Sequence, residues 1–185
     1  MAIKSTKEIQ KYLNSVGFKC GLVDGIQGTK TTAAIKNFQT SRGLVRDGIV
    51  GPKTLAELNR KETVNWTKSK YFKRKEFHCQ CDGLCNSYPA PISSDLVDLL
   101  NKLRAWLGKP IYITSGLRCY RHNANVGGVP GSRHVSGRAV DITWDGINGT
   151  QKQKVINKAY ELGASYSYTN GTNMAGAVHI DVKGW

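Results

Sequence analysis

The chain has 185 residues, 39 % hydrophobic and 22 % charged, which is too apolar for a disordered polymer and ordinary for one large or two small globular domains. Lys and Arg number 27 against 13 Asp and Glu, a net charge of +14 that favours polyanionic partners without naming one. No apolar run approaches the ~18 residues of a membrane span, and the opening "MAIKSTKEIQ" lacks the apolar stretch of a secretory leader, so the expectation is a chain that works in the cytoplasm or leaves it by another route.

In chain order, Ile9, Tyr12, Leu13 and Val16 form a helical stripe that Gly17 should stop. "DGIQGTKT" (24–31) then returns as "DGIVGPKT" (47–54), an offset of 23 residues. In each copy Asp-Gly makes a tight turn and a second Gly lets the backbone reverse before a helix. Thr31, Ala34, Ile35 and Phe38 follow helical spacing after the first loop, and Leu55 and Leu58 open a shorter helix after the second. The pattern predicts a small three-helix domain over residues 1–60 with these apolar stripes as its core. Residues 61–70 are polar, lack apolar periodicity and carry no Gly or Pro, and read as a linker. A basic run, "KSKYFKRK" (68–75), follows from it.

From residue 71 onward the pattern is mixed. "SSDLVDLLNKLRAWLG" (93–108) predicts an amphipathic helix with a Ser N-cap and a Gly stop; "PIYITSG" (110–116) predicts a strand. "QKQKVINKAYELG" (151–163) is a second helix and "AVHIDV" (177–182) a further strand. Helices beside a small, mostly antiparallel sheet make an α+β domain of residues 71–185, large enough for its own core.

Within that domain, "GSRHVSGRAVDITW" (131–144) places Asp141 in a stretch that reads as a buried strand. An ionised carboxylate buried without a partner costs several kcal/mol, and a bound cation would explain it. His134 stands seven residues before it; Gly137 permits a turn and Ala139 leaves room. His179 sits in the other apolar strand. Two histidines and one carboxylate are a zinc ligand set with the fourth place open to water, the arrangement of catalytic rather than structural sites. Zinc lowers the pKa of such a water towards ~7 and polarises a carbonyl, so amide hydrolysis becomes accessible at neutral pH.

Five cysteines occur, an odd number that argues for reduced thiols in a chain without a leader. "HCQCDGLC" gathers His78, Cys79, Cys81 and Cys85, enough ligands for a structural zinc, although C-x-C-x3-C departs from the usual C-x2-C spacing. A disulfide from this loop to Cys119 fits a protein that works outside the cell, and buried thiols are the plainest reading of the four. His122 is expected on an exposed helix or turn.

"IQKYLNSVGF…VDGIQGTKTTAAIKNFQTSRGLVRDGIVGPKTLAEL" resembles the three-helix peptidoglycan-binding domain of wall hydrolases, including both DG-x-x-G loops and the Phe38-Gln39 pair. "TSGLRCYRHNANVGGVPGSRHVSGRAVDI" (114–142) followed by "AVHIDV" is similar to the M15 family of zinc D,D-peptidases, and "FKRKEFHCQC" (72–81) to the start of one of its branches. That resemblance implies a hedgehog/D,D-peptidase-like fold and one catalytic Zn2+ held by His134, Asp141 and His179. It implies Arg118, in "SGLR", as the residue that holds the substrate and its developing oxyanion, and Ser132 as a hydrogen-bonding residue for ligands or substrate. Several branches place an Asp or Glu three residues before the last His. Here that position is Gly176, and the expectation for general base moves to Asp181, on the same strand face as His179. The alternative for Asp181 is to orient a ligand or Arg118.

Together these imply a peptidoglycan hydrolase that binds the wall through residues 1–60 and cuts a stem-peptide or cross-link amide through residues 71–185. The absent leader points to a phage endolysin held in the host cytoplasm until lysis, with a bacterial cell-wall enzyme whose leader has been removed as the variant reading. Expected partners are peptidoglycan and anionic wall polymers, with no nucleic acid and no membrane, and the expected state is a monomer. L-Ala-D-Glu endopeptidase, D-Ala-D-Ala carboxypeptidase and D,D cross-link endopeptidase all remain open. The other classes are a catalytically inactive, metal-containing wall-binding protein, and a nucleic-acid binder supported by charge alone.

Overall fold

In the computed structural model, which describes residues 3–82, 85, 90–169 and 176–183, six α-helices, one 3-10 turn (Arg74–Phe77) and four strands are defined among the described residues. The helices are α1 (Thr6–Ser15), α2 (Thr29–Ser41), α3 (Pro52–Leu58), α4 (Ser94–Leu107), α5 (Tyr120–Asn125) and α6 (Gly149–Glu161). The strands are β1 (Tyr112–Ser115), β2 (Ala139–Thr143), β3 (Tyr166–Tyr168) and β4 (Val178–Asp181). The fold is α+β. No helix of the described residues is long and apolar enough to cross a membrane. The chain divides into two compact units that are not separated by a single cut: one takes residues 1–61, 79–91 and 118–136, the other residues 62–78, 92–117 and 137–185.

In the first unit, α1 begins at a reciprocal capping box. Ser5 Oγ accepts from the Glu8 N–H, and Glu8 Oε2 accepts from the Ser5 N–H at 3.0 Å. The helix ends before Gly17, whose φ of +88° is the left-handed conformation a stop requires. The two Asp-Gly loops are each built around one buried glutamine. Gln10 Nε2 points at Asp24 Oδ1 (2.8 Å), the Ile26 carbonyl (3.0 Å) and Thr31 Oγ1 (3.1 Å), while its Oε1 accepts from the Gly25 N–H (2.8 Å). Gln39 repeats the set with Asp47 (2.7 Å), Ile49 (2.9 Å), Thr54 (3.2 Å) and the Gly48 N–H (2.8 Å). Each Asp also accepts from the backbone two residues on, and these bonds hold both carboxyls below their ordinary pKa.

Leu13, Val16, Phe18, Ile35 and Phe38 are buried, with the Phe18 and Phe38 rings edge to face at 5.7 Å. Leu55, expected in the core, is instead exposed. Helix α3 has only seven residues and buries one narrow stripe, which Thr54 and Leu58 occupy.

In the second unit the stretch expected as a linker packs from Glu62 onward. Trp66 lies 5.5 Å from the Phe77 ring, and Arg74 Nε donates to Glu62 at 2.9 Å. Helix α4 buries Leu96, Val97, Leu99, Leu100 and Leu103 and ends at Gly108 with φ +67°. Ser93 occupies the N-cap place without a side-chain bond to the helix; its N–H donates to the Gly137 carbonyl at 2.9 Å. The sheet is antiparallel throughout, in the order β1-β2-β4-β3, with β3 not foreseen from its three residues. Val140 stands opposite Ile180 and Ile142 opposite Val178, all four fully buried. Because strand side chains alternate faces, the intervening Asp141, His179 and Asp181 share the other face.

Candidate metal centre

The register of β2 and β4 pairs Asp141 with His179 across the sheet, and Ser115 of β1 stands opposite Asp141 on the other side. His179 Nδ1 lies 2.9 Å from Asp141 Oδ1, and its Nε2 lies 3.4 Å from Asp181 Oδ2. His134 arrives on the turn that Gly137 closes with φ +69°. One donor atom from each of His134, Asp141 and His179 lies within 4.8 Å of the others, and all three residues are buried. The buried carboxylate that the strand pattern left unexplained therefore has two imidazoles as neighbours. Burial alone would lower the His179 pKa. The hydrogen bonds and negative charges of Asp141 and Asp181 outweigh it and raise the pKa above the ordinary imidazole value.

The donor set fits a zinc ion. It combines two nitrogens and one oxygen at close mutual range, the donor types zinc takes. Asp181 sits behind His179, and its Oδ1 accepts from Ser165 Oγ at 2.8 Å. The ring of Tyr168, opposite His179 in register, is 4.9 Å from the imidazole. Sequence patterns missed Tyr168 and Ser165; both depend on the short strand β3 and on cross-strand register, which no local periodicity announces.

Arg118 is half-buried, and its N–H donates to the His134 carbonyl at 3.2 Å, which links the "SGLR" turn to the histidine-bearing turn. Ser132 is half-buried in that second turn, where its carbonyl accepts from the Val135 N–H at 3.1 Å. Just upstream, Gly116 permits a close approach, since a Cβ there would lie 2.7 Å from the Phe77 Cα.

A second cluster forms apart from this trio. The Sγ atoms of Cys79, Cys81, Cys85 and Cys119 lie within 4.8 Å of one another. His78 is not among them; it is exposed, with Nδ1 2.6 Å from the Lys75 carbonyl. His122 is half-buried on α5. The hydrogen bond from the Cys79 thiol, more than anything else, holds the Cys119 thiol down to about 5, and burial pushes Cys85 up to about 12. Cys20 stands separately, its Sγ 3.3 Å from the Gln10 carbonyl.

The profile described as Peptidase M15 matches residues 70–181, a stretch that contains the whole His134–Asp141–His179 trio. The chain belongs to the Peptidase M15 family. A profile described as a putative peptidoglycan binding domain matches residues 4–58 of this M15 protein. It is 33 % identical over 125 residues to the zinc D-Ala-D-Ala carboxypeptidase of Streptomyces albus G, covering 65 % of this chain and 49 % of that one. Over 50 residues it is 46 % identical to the N-acetylmuramoyl-L-alanine amidase CwlM of Mycobacterium tuberculosis, 27 % of this chain and 12 % of that one. An uncharacterized protein in the bpoA1 3' region of Kitasatospora aureofaciens is 52 % identical over 46 residues, 25 % of this chain and 39 % of its own. The chain thus spans less than half the length of each of these relatives.

Proposed function

We propose that this protein is a peptidoglycan hydrolase that holds one zinc ion on His134, Asp141 and His179 and cuts an amide bond of the stem peptide or cross-link. The observation that carries this reading is the buried trio of mutually close imidazole and carboxylate donors inside the segment matched by the M15 profile. Zinc, when bound, would lower the pKa of a water and polarise the scissile carbonyl. Arg118 would place its planar donors on a carboxylate or on the oxygen where charge develops. Ser132 would add a hydrogen bond to substrate. Asp181 would hold the imidazole of His179 by its Nε2 side so that Nδ1 faces Asp141, the orienting role of the two open to it; both of its oxygens are engaged, by His179 and by Ser165.

The N-terminal repeat would concentrate the enzyme at the wall. Its two loops expose matching apolar pairs 23 residues apart, Leu22 with Val45 and Ile26 with Ile49, each at least 65 % exposed. Exposed apolar side chains repeated in register support a binding face. The net charge of +14 supports attraction to anionic wall polymers. An endolysin role is the biological setting we propose for the activity.

Mass spectrometry of purified peptidoglycan after digestion tests this. New stem-peptide termini that vanish with EDTA and return with zinc are expected, and their position identifies the bond. Wall binding with no cleavage would sink the enzyme reading and leave a metal-containing binding protein. Lysis of whole cells by protein added from outside tests the endolysin setting.

A further inference from the structure

We propose that Cys79, Cys81, Cys85 and Cys119 form a second metal site, a structural tetrathiolate zinc centre distinct from the His134–Asp141–His179 trio. Three of the four cysteines are at most 5 % exposed and Cys85 is half-buried. Three come from one loop and the fourth from the N-cap of α5. Their Sγ atoms all lie within 4.8 Å of one another, with Cys81 and Cys85 at 3.2 Å. A tetrahedral ion with ~2.3 Å bonds to sulfur needs sulfurs roughly 3.8 Å apart, so modest side-chain adjustment would close the site.

The surroundings suit thiolates. The Cys119 N–H donates to Cys79 Sγ at 3.2 Å, and the His122 N–H donates to Cys119 Sγ at 3.4 Å. Backbone donors aimed at sulfur stabilise the negative form a metal requires and orient the ligand. Four protein ligands leave no place for water, which makes the centre structural. As each S–Zn bond forms, the thiol proton passes to solvent; no electron is transferred and no oxidant is needed.

The ion would do what local structure does not. Among the described residues of 79–91 there is no helix or strand, and nothing apolar but Ala90 is fully buried between Cys81 and Pro91. Closing the site would tie this loop to the start of α5. Cys119 directly follows Arg118, whose N–H is bonded to His134, so the same ion would steady the backbone of the arginine.

The experiment is zinc analysis of the full-length protein purified under reducing conditions without chelator. About two equivalents per chain are expected in the wild type and about one in a His134→Ala/His179→Ala variant. In that variant, cobalt exchanged for the remaining zinc should give intense sulfur-to-cobalt charge-transfer absorption, and a mercurial that reacts with the thiols should release the metal. Cys81→Ser/Cys85→Ser should lose one equivalent and keep the other. If that variant fails to fold, the cobalt spectrum and mercurial release still decide. A His134→Ala/His179→Ala protein that is folded, holds no metal and shows four alkylatable thiols or two disulfides in this cluster would overturn the proposal. Retention of one zinc in both variants is the expected result. A single wild-type equivalent lost only with the cysteines would uphold this site and sink the trio as a zinc centre.

Discussion

The two clusters of potential ligands are built in opposite ways. Asp141 and His179 face each other because β2 and β4 are paired in register, and the alternation of strand side chains sends them away from Val140, Ile142, Val178 and Ile180. Their placement is a consequence of secondary structure. Cys79, Cys81 and Cys85 sit on a stretch with no helix or strand among its described residues and Cys119 at the N-cap of a six-residue helix, so only the tertiary path brings Cys119 to the others. Two ligands of the trio are fixed by paired strands, and His134 joins them from a turn. In the proposal above, an ion would hold the cysteine set.

The largest expected effect falls on the His134–Asp141–His179 cluster. Asp141→Ala or His179→Ala should cut muropeptide hydrolysis by roughly a thousandfold or more, because metal chemistry contributes several kcal/mol to the barrier. A large loss of stability with zinc retained would show the trio to be a structural network. Chelation should then separate the two clusters in time: a weak chelator should remove activity before it loosens residues 79–91 to proteolysis, since an open three-residue site releases metal more readily than a closed one.

Asp181→Asn sharpens the role of the carboxylate behind His179. An orienting residue should cost about 10–100-fold in metal affinity or activity together. Loss of turnover with zinc affinity unchanged would make Asp181 the proton acceptor instead.

Smaller effects lie outside both clusters. Gly116→Ala should destabilise by about 1–3 kcal/mol in denaturant melts, because its Cβ would meet the backbone of Phe77 rather than a flexible side chain. Gln10→Ala and Gln39→Ala should each cost about 1–3 kcal/mol through the buried polar groups they abandon. The Asp24 and Asp47 carboxyls are depressed, so their contribution is complete above the ordinary carboxylate pKa and disappears as pH falls through the lowered values. Acid melts of the glutamine variants should therefore be flatter than those of the wild type. Ile26→Asp with Ile49→Asp should weaken retention on insoluble wall and leave the turnover of soluble muropeptides unchanged.

Much of the site was legible in the chain. A carboxylate inside an apolar strand, a histidine in a second such strand and a third beside a turn glycine are local signals, because burial without a partner is costly whatever the fold. The repeat of "DG-x-x-G" was equally plain, yet the buried Gln10 and Gln39 that organise it were not. A glutamine on a helix looks like surface until the loop it serves folds over it. Leu55 shows the converse: helical spacing marked it as core, and a helix of seven residues had no second face to bury.

What the sequence by itself determined is the set of donors, the alternation that puts Asp141, His179 and Asp181 on one face, and the turn glycines that let the chain reverse between elements. These follow from the period of a strand and the steric freedom of glycine, which are properties of neighbouring residues. Tertiary structure decided which strands pair and in what register, that Tyr168 flanks His179, and that Cys119 rather than His78 completes the cysteine cluster. Those are contacts between residues distant in the chain. Their selection depends on how loops close and cores pack, and no short window of sequence contains both partners.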